Sequence, residues 1–337
     1  MSTIKDVASA AGVSPTTVSL ILNNRAQEKR ISEATVERVL LTMQKLGYQP
    51  NVSARRLRTS DVKKLTIAFY WPMDYRSNML GAFLSGMQRA IKNQDQDCEI
   101  LVQPYENDRL DKTADAIQKN IFSGVIIGAL SEEDQKYLES LTPQIPIMLI
   151  NRFSEKYSNV GVDNKNVGLQ AASLLRQKGY DTAAVMLAER PYLATAARTI
   201  AFMEACKQLG IEIKPQWIFK GQNTIAGGAI AAKSFCATKD RPRVLFCESD
   251  SMAQGALYTL NKHNIQVPKQ LELLCISMQV EETMEFLVPS VSSVSLPTTK
   301  MAEIAISTLI NKIKLGNNSP IHIVVEPTIC LRESFNF

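Results

Sequence analysis

Two groups of side chains in this 337-residue sequence have the types and spacing to do chemistry. Thr16, Thr17, Ser19 and Leu20, flanked by Pro15 and Asn23, would share the outer face of a short helix. Short hydroxyl side chains there let a helix lie deep in a major groove and donate to phosphates or base edges. The second group is the run NVSARRLRT at 51–59, where Arg55, Arg56 and Arg58 surround one apolar residue, Leu57. In isolation it reads as a basic linker, too polar to pack. Other chemistries lack parts. The two histidines, His263 and His322, are far apart and have no Cys or carboxylate partners at ligand spacing, which argues against zinc and His-based catalysis. The segment 224–229 holds a Gly227-Gly228 pair but not the lysine of a phosphate-cradling loop. No cofactor and no metal is called for.

Charge sharpens the first two groups. Residues 1–64 carry 11 Lys/Arg against 5 Asp/Glu, a net of +6, which leaves −1 on the other 273 residues. Attraction to the phosphate backbone is the functional meaning of such an excess; a solvated basic face is the bland one.

The elements that must position these residues follow from start and stop signals. Thr3-Ile4-Lys5-Asp6 is a capping pattern, and Ile4, Val7, Ala8 and Ala11 then repeat at helical spacing until Gly12. Ser14-Pro15 caps a second helix, 15 to about 23, with Val18, Ile21 and Leu22 inward. Ser32 caps a third, whose Val36, Val39, Leu40, Met43 and Leu46 form one stripe closed by Gly47. Two helices across a tight glycine turn plus a third is a helix-turn-helix arrangement, the alternative being a plain three-helix bundle with a Thr-rich surface.

The words of this segment go further. IKDVASAAGVSPTTVSLILNN, followed by RISEATVERVLLTMQKLGYQPNVSARRL, strongly resembles the headpiece of the lactose- and galactose-repressor family. Ile4, Asp6, Val7, Ala8, Gly12, Val13, Ser14, Thr17, Val18 and Ser19 match its pattern, as do Tyr48, Pro50, Asn51, Ala54 and Leu57. The resemblance implies that Pro15, Thr16 and Leu20 read bases, and that Ser14, Thr17, Ser19 and Asn23 anchor to phosphate. Leu20 departs from the usual polar residue, so a thymine methyl is the expected contact. Thr3, Asn51 and Ala54 complete the implied DNA-binding set. In this family the segment at 51–61 becomes a hinge helix only on DNA, where paired leucines wedge a minor-groove step. Leu57 would be that wedge, and Arg55, Arg56 and Arg58 its phosphate or minor-groove contacts.

Beyond residue 64, short apolar runs alternate with helical stretches. Strands are expected at 65–69, 100–103, 125–127, 147–150, 183–187, 217–219, 244–247 and 273–276. Helices are expected between them at 79–93, 166–178, 195–209 and 252–263. Alternation of this kind means parallel sheets, and two such series mean two Rossmann-like lobes with a ligand cleft at the strand ends. The expected α/β architecture is therefore a 1–50 all-α headpiece, a 51–61 hinge and a 62–337 sensor. The sensor lobes would be 62–160 with 290–320, and 161–289 with 321–337.

By the same resemblance the sensor is periplasmic-binding-protein-like: Asn151-Arg152, VGVDN at 160–164, Arg198, CESDSMAQGAL at 247–257 and LRES at 331–334 match. Arg198 would grip an effector with its planar fork, and Asn151 and Asp250 would add polar contacts. Asp250 as a simple helix cap is the alternative. Trp71 and Tyr75 would either stack on a sugar ring or pack between lobes. The family commonly has Asp at Asn151, Asn at Ser249 and a Gly-aromatic-Asp at Cys275-Ile276-Ser277, so the pocket has lost charged sugar-binding positions. Either the effector is unusual or the pocket has lost ligand response.

The expectation is a transcriptional repressor of carbohydrate-utilisation genes, not an enzyme, controlled by a sugar or sugar phosphate. A regulator controlled by a partner protein, and a sugar-binding or sugar-processing protein, are the rivals. Pseudo-palindromic double-stranded operator DNA implies a homodimer. No terminal leucine heptad follows, so no tetramerising tail is expected. The start lacks the layout of a signal peptide and no apolar run nears twenty residues, which points to the cytoplasm and away from membranes. The six cysteines, without a C-x-x-C pair, fit a reduced compartment.

Overall fold

The structure is a computed structural model and describes residues 4–22, 26, 28–46, 64–94, 96–278 and 281–337. The predicted DNA-contact residues Thr3, Asn23, Asn51, Ala54, Arg55, Arg56, Leu57 and Arg58 lie outside the described residues.

Among the described residues, the amino-terminal unit contains three helices: α1 Ile4–Ala11, α2 Pro15–Leu22 and α3 Glu33–Lys45. Gly12 sits at φ +65 between the first two, the left-handed conformation that glycine tolerates at a helix end. Ser14 Oγ accepts from Thr17 N at 3.0 Å and Ser32 caps α3 through Thr35 N, each satisfying an orphan donor. Val7, Ala8, Ala11, Val18, Ile21, Val39 and Met43 form the core. The expected α3 stripe is narrower than read: Leu40 is 50% exposed and Leu46 is 38% exposed. Among the described residues, Val39 and Met43 are the α3 side chains buried in this core.

The larger unit is built on two six-stranded sheets. The first has the order β11-β5-β4-β3-β1-β2, with β1 Leu65–Pro72, β2 Cys98–Tyr105, β3 Gly124–Gly128, β4 Ile147–Ile150, β5 Ser158–Gly161 and β11 His322–Val324. The second has the order β12-β10-β9-β8-β6-β7, with β6 Ala184–Ala188, β7 Ile218–Gly221, β8 Val244–Cys247, β9 Glu272–Ser277, β10 Ser292–Ser295 and β12 Thr328–Cys330. All pairings are parallel except β10 with β12. Strands such as β3, β4 and β8 are buried at every position, as a sheet covered on both faces requires.

The helices of this unit are α4 Leu80–Asn93, α5 Asp115–Gln118, α6 Glu132–Ser140, α7 Asn164–Gln177, α8 Leu193–Gln208, α9 Ile225–Ala237, α10 Asp250–Lys262, α11 Glu281–Glu285 and α12 Thr298–Leu315. One apolar cluster runs from Phe69 and Phe83 through Ala172 and Phe202 to Phe246 and Ile306, joining the inner faces of both lobes. Glycines permit the close helix pairs. A Cβ on Gly168 of α7 would meet Arg198 O at 2.5 Å and Phe202 N at 2.6 Å of α8.

Strand membership corrects the expected lobe boundaries in two places. Ser292–Ser295 pairs with β9 and β12 in the second sheet, not the first. His322–Val324 pairs with β5 in the first sheet, not the second. Both are short strands with little apolar signal of their own, so the chain crosses between lobes at places that periodicity does not mark. No helix among the described residues is long and apolar enough to cross a membrane.

Candidate functional site

Open α/β sheets present ligands at the carboxyl ends of their strands, and both sheets here do so toward one cleft. Trp71 ends β1, Ala129 follows β3, Asn151 and Arg152 follow β4. From the second lobe, Tyr192 follows β6, Asn223 follows β7, Glu248 to Ser251 follow β8 and Met278 follows β9.

Of the predicted effector residues, Trp71, Asn151, Arg198, Ser249 and Asp250 line this cleft. Trp71 is buried; its ring lies 4.9 Å from that of Phe83, and its Nε1 donates to Arg76 O at 3.2 Å. Asn151 adopts φ +54 at the turn out of β4, a conformation that an asparagine side chain tolerates. Arg198, 3% exposed, reaches from α8 and donates from Nη1 to Asn164 Oδ1 at 3.2 Å and from Nη2 to Thr195 Oγ1 at 3.3 Å. These acceptors hold the guanidinium plane.

Ser249, not Asp250, caps α10: its hydroxyl accepts from Met252 N at 3.2 Å and donates to Asn223 Oδ1 at 2.6 Å. Asp250 accepts from Ser251 N at 2.7 Å, from Met278 N at 2.7 Å and from Ser277 Oγ at 3.1 Å. Ser277 is therefore placed behind Asp250 as its support and does not line the cleft. Tyr75 opens the short turn Tyr75–Met79, and its side chain lies outside the described part.

Sequence reasoning missed Arg76, Arg152, Tyr192 and Glu248, all in the cleft wall. Arg76 comes from the first lobe and stacks 3.7 Å over the ring of Tyr192 from the second. Asp74 ties the pair: Arg76 Nε donates to it at 2.9 Å and the Tyr192 hydroxyl at 2.8 Å. Burial alone would raise the Asp74 carboxyl, but hydrogen bonds and charge from Arg76 carry it below its ordinary value, while burial and the Asp74 contact push the Tyr192 hydroxyl up to about 12. Glu248 accepts from Ala188 N at 2.6 Å and from Thr199 Oγ1 at 2.9 Å. Burial raises its carboxyl pKa in spite of those bonds and of nearby Arg198. The signal that could have found these residues is position, since each follows the carboxyl end of a strand. Arg152 stands in the matched Asn151-Arg152 pair, where attention to Asn151 alone overlooks it.

In the other unit, Ser14, just before α2, and Pro15 and Thr16 of α2 are exposed, and Thr17, Ser19 and Leu20 are half-buried beside them. The first turn of that helix thus presents hydroxyl groups outward while Val18 and Ile21 are buried.

Comparisons with known proteins agree with both units. The profile of the bacterial regulatory proteins, lacI family, matches residues 3–51. That of the periplasmic binding protein-like domain matches residues 172–335. The ribose operon repressor of Haemophilus influenzae is 23% identical over 336 residues, spanning 99% of this chain and 98% of that protein. The transcriptional regulator GalS of Salmonella typhimurium is 27% identical over 309 residues, covering 90% of this chain and 88% of its own length. A crystal structure of a LacI family transcription regulator from Clostridium acetobutylicum is 36% identical with a TM-score of 0.76, covering 80% of this chain and 100% of that one.

Proposed function

The chain belongs to the LacI family of bacterial transcription regulators, and from that premise we propose that its cleft takes a sugar or sugar derivative whose binding resets operator affinity. The family's work is DNA-binding transcriptional repression, not catalysis.

The observation that carries the metabolite reading is the Arg198 fork, buried on one lobe of a cleft that the other lobe faces with Trp71 and Asn151. A planar five-donor group beside an aromatic wall suits a small ring bearing hydroxyls or a carboxylate. Names of relatives, among them a ribose operon repressor, favour a carbohydrate.

On the DNA side, Pro15, Thr16 and Leu20 are proposed to read base edges, with Ser14, Thr17, Ser19 and Asn23 on phosphates. The segment 51–61 is proposed to order on the operator, with Leu57 as the wedge. A homodimer on a pseudo-palindromic site in the cytoplasm completes the proposal, because one module makes too few contacts for tight specific binding.

Thermal unfolding of the full chain against a panel of pentoses, hexoses and their phosphates tests the cleft. A ligand at a hundred times its Kd adds about 2.7 kcal/mol to stability and raises Tm visibly. Arg198→Ala is expected to abolish that rise and leave DNA binding intact. A retained rise removes Arg198 from the site.

A further inference from the structure

Resting on the cleft reading above, we infer that the metabolite carries an anionic group, a phosphate or a carboxylate, and that Arg152 receives it.

Arg152 is 9% exposed and lines the cleft just after β4. Its Nε donates to Leu130 O at 2.7 Å and its Nη1 to Asn151 O at 2.7 Å. Those carbonyls fix the plane of the guanidinium but carry no charge. No carboxylate among the described residues forms an ion pair with it, and its Nη2 has no acceptor among them. A second cation, Arg76, acts on it. Burial, and then repulsion from Arg76, lower the Arg152 pKa to about 10, with Tyr105 acting in the opposite sense. A buried cation without a counter-charge is costly, so such a group persists where something else supplies the anion.

The carboxylates of the cleft are committed elsewhere. Asp74 holds Arg76 and the Tyr192 hydroxyl. Asp250 accepts from Ser251 N, Met278 N and Ser277 Oγ. Glu248 accepts from Ala188 N and Thr199 Oγ1, and burial raises its pKa, which favours its neutral form. The residue beside Arg152 is the neutral Asn151, whose Oδ1 is buried and has no hydrogen-bond donor. A guanidinium offered to a phosphate or carboxylate oxygen forms charge-assisted hydrogen bonds, about twice as strong as neutral ones.

Calorimetric titration of the full chain with matched pairs is the test: ribose and ribose 5-phosphate, glucose and glucose 6-phosphate, glucose and glucuronate. The anionic member of at least one pair is expected to bind at least about tenfold more tightly than its neutral partner. The phosphate and carboxylate arms identify which anion is taken. Arg152→Gln should erase the preference and Arg152→Lys should keep part of it. Should a neutral sugar bind as tightly as its anionic partner, or Arg152→Gln keep the preference, the anion site is overturned while the cleft reading stands. If no pair binds at all, both fail together.

Discussion

At the scale of single residues, the cleft is defined by how its charges are matched. Arg198 is held by Asn164 and Thr195 and acts on the nearby Glu248, Arg76 has Asp74, Arg152 has carbonyls, and Glu248 is buried with a backbone amide and a hydroxyl. Glu248 gives a pH prediction. Its folded-state pKa is raised above the ordinary 4.5, so its contribution favours folding at acid pH and is lost as pH rises through that raised value. Wild-type Tm, corrected for other groups by comparison with Glu248→Gln, should therefore fall between acid and neutral pH. The Gln variant keeps an acceptor for Ala188 N and can donate to Thr199, so its profile should be flatter and its stability at neutral pH equal or higher. A Gln variant that is less stable at neutral pH with an unchanged slope would show that the Glu248 charge is compensated in the fold.

At the scale of elements, the site depends on helices held at backbone distance. α7 touches α8 through Gly168, opposite the carbonyl of Arg198 itself. Gly168→Ala should therefore push α8 outward, cost roughly 1–3 kcal/mol by overpacking and move Arg198 out of register. Denaturant unfolding and ligand titration measure the two effects; an unchanged midpoint with unchanged affinity would contradict so close an approach of α7 to α8. What the sequence made legible at this scale follows the same physics. Strands buried on both faces, such as Ile147–Ile150 and Val244–Cys247, announce themselves as continuous apolar runs. The edge strands His322–Val324 and Thr328–Cys330 are half exposed and three residues long, and left no such trace. Within the cleft, Trp71, Asn151 and Arg198 were reached through motif and strand-end position. Ser277 was placed in the pocket by the family resemblance, which cannot tell a wall residue from the support behind it. Arg76 and Tyr192 were invisible because their partnership spans two lobes and more than a hundred positions of chain.

At the scale of the whole molecule, two devices meet in one chain: a basic helix-turn-helix unit and a two-lobed cleft closed in part by its own side chains. Arg76 on Tyr192, tied by Asp74, bridges the lobes beside the cleft. A ligand that binds one lobe arrangement better shifts the molecule toward it by its differential affinity alone. Control of DNA binding by the cleft is best measured as operator affinity of the full chain, by fluorescence anisotropy, on a duplex selected from random sequence, with and without a cleft ligand. Selection should enrich a near-palindrome, and affinity for it should fall steeply with salt. Ligand addition should change that affinity about tenfold or more, and Arg198→Ala should remove the change. Selection that enriches no sequence, or an affinity indifferent to every ligand the cleft binds, would contradict a ligand-controlled regulator.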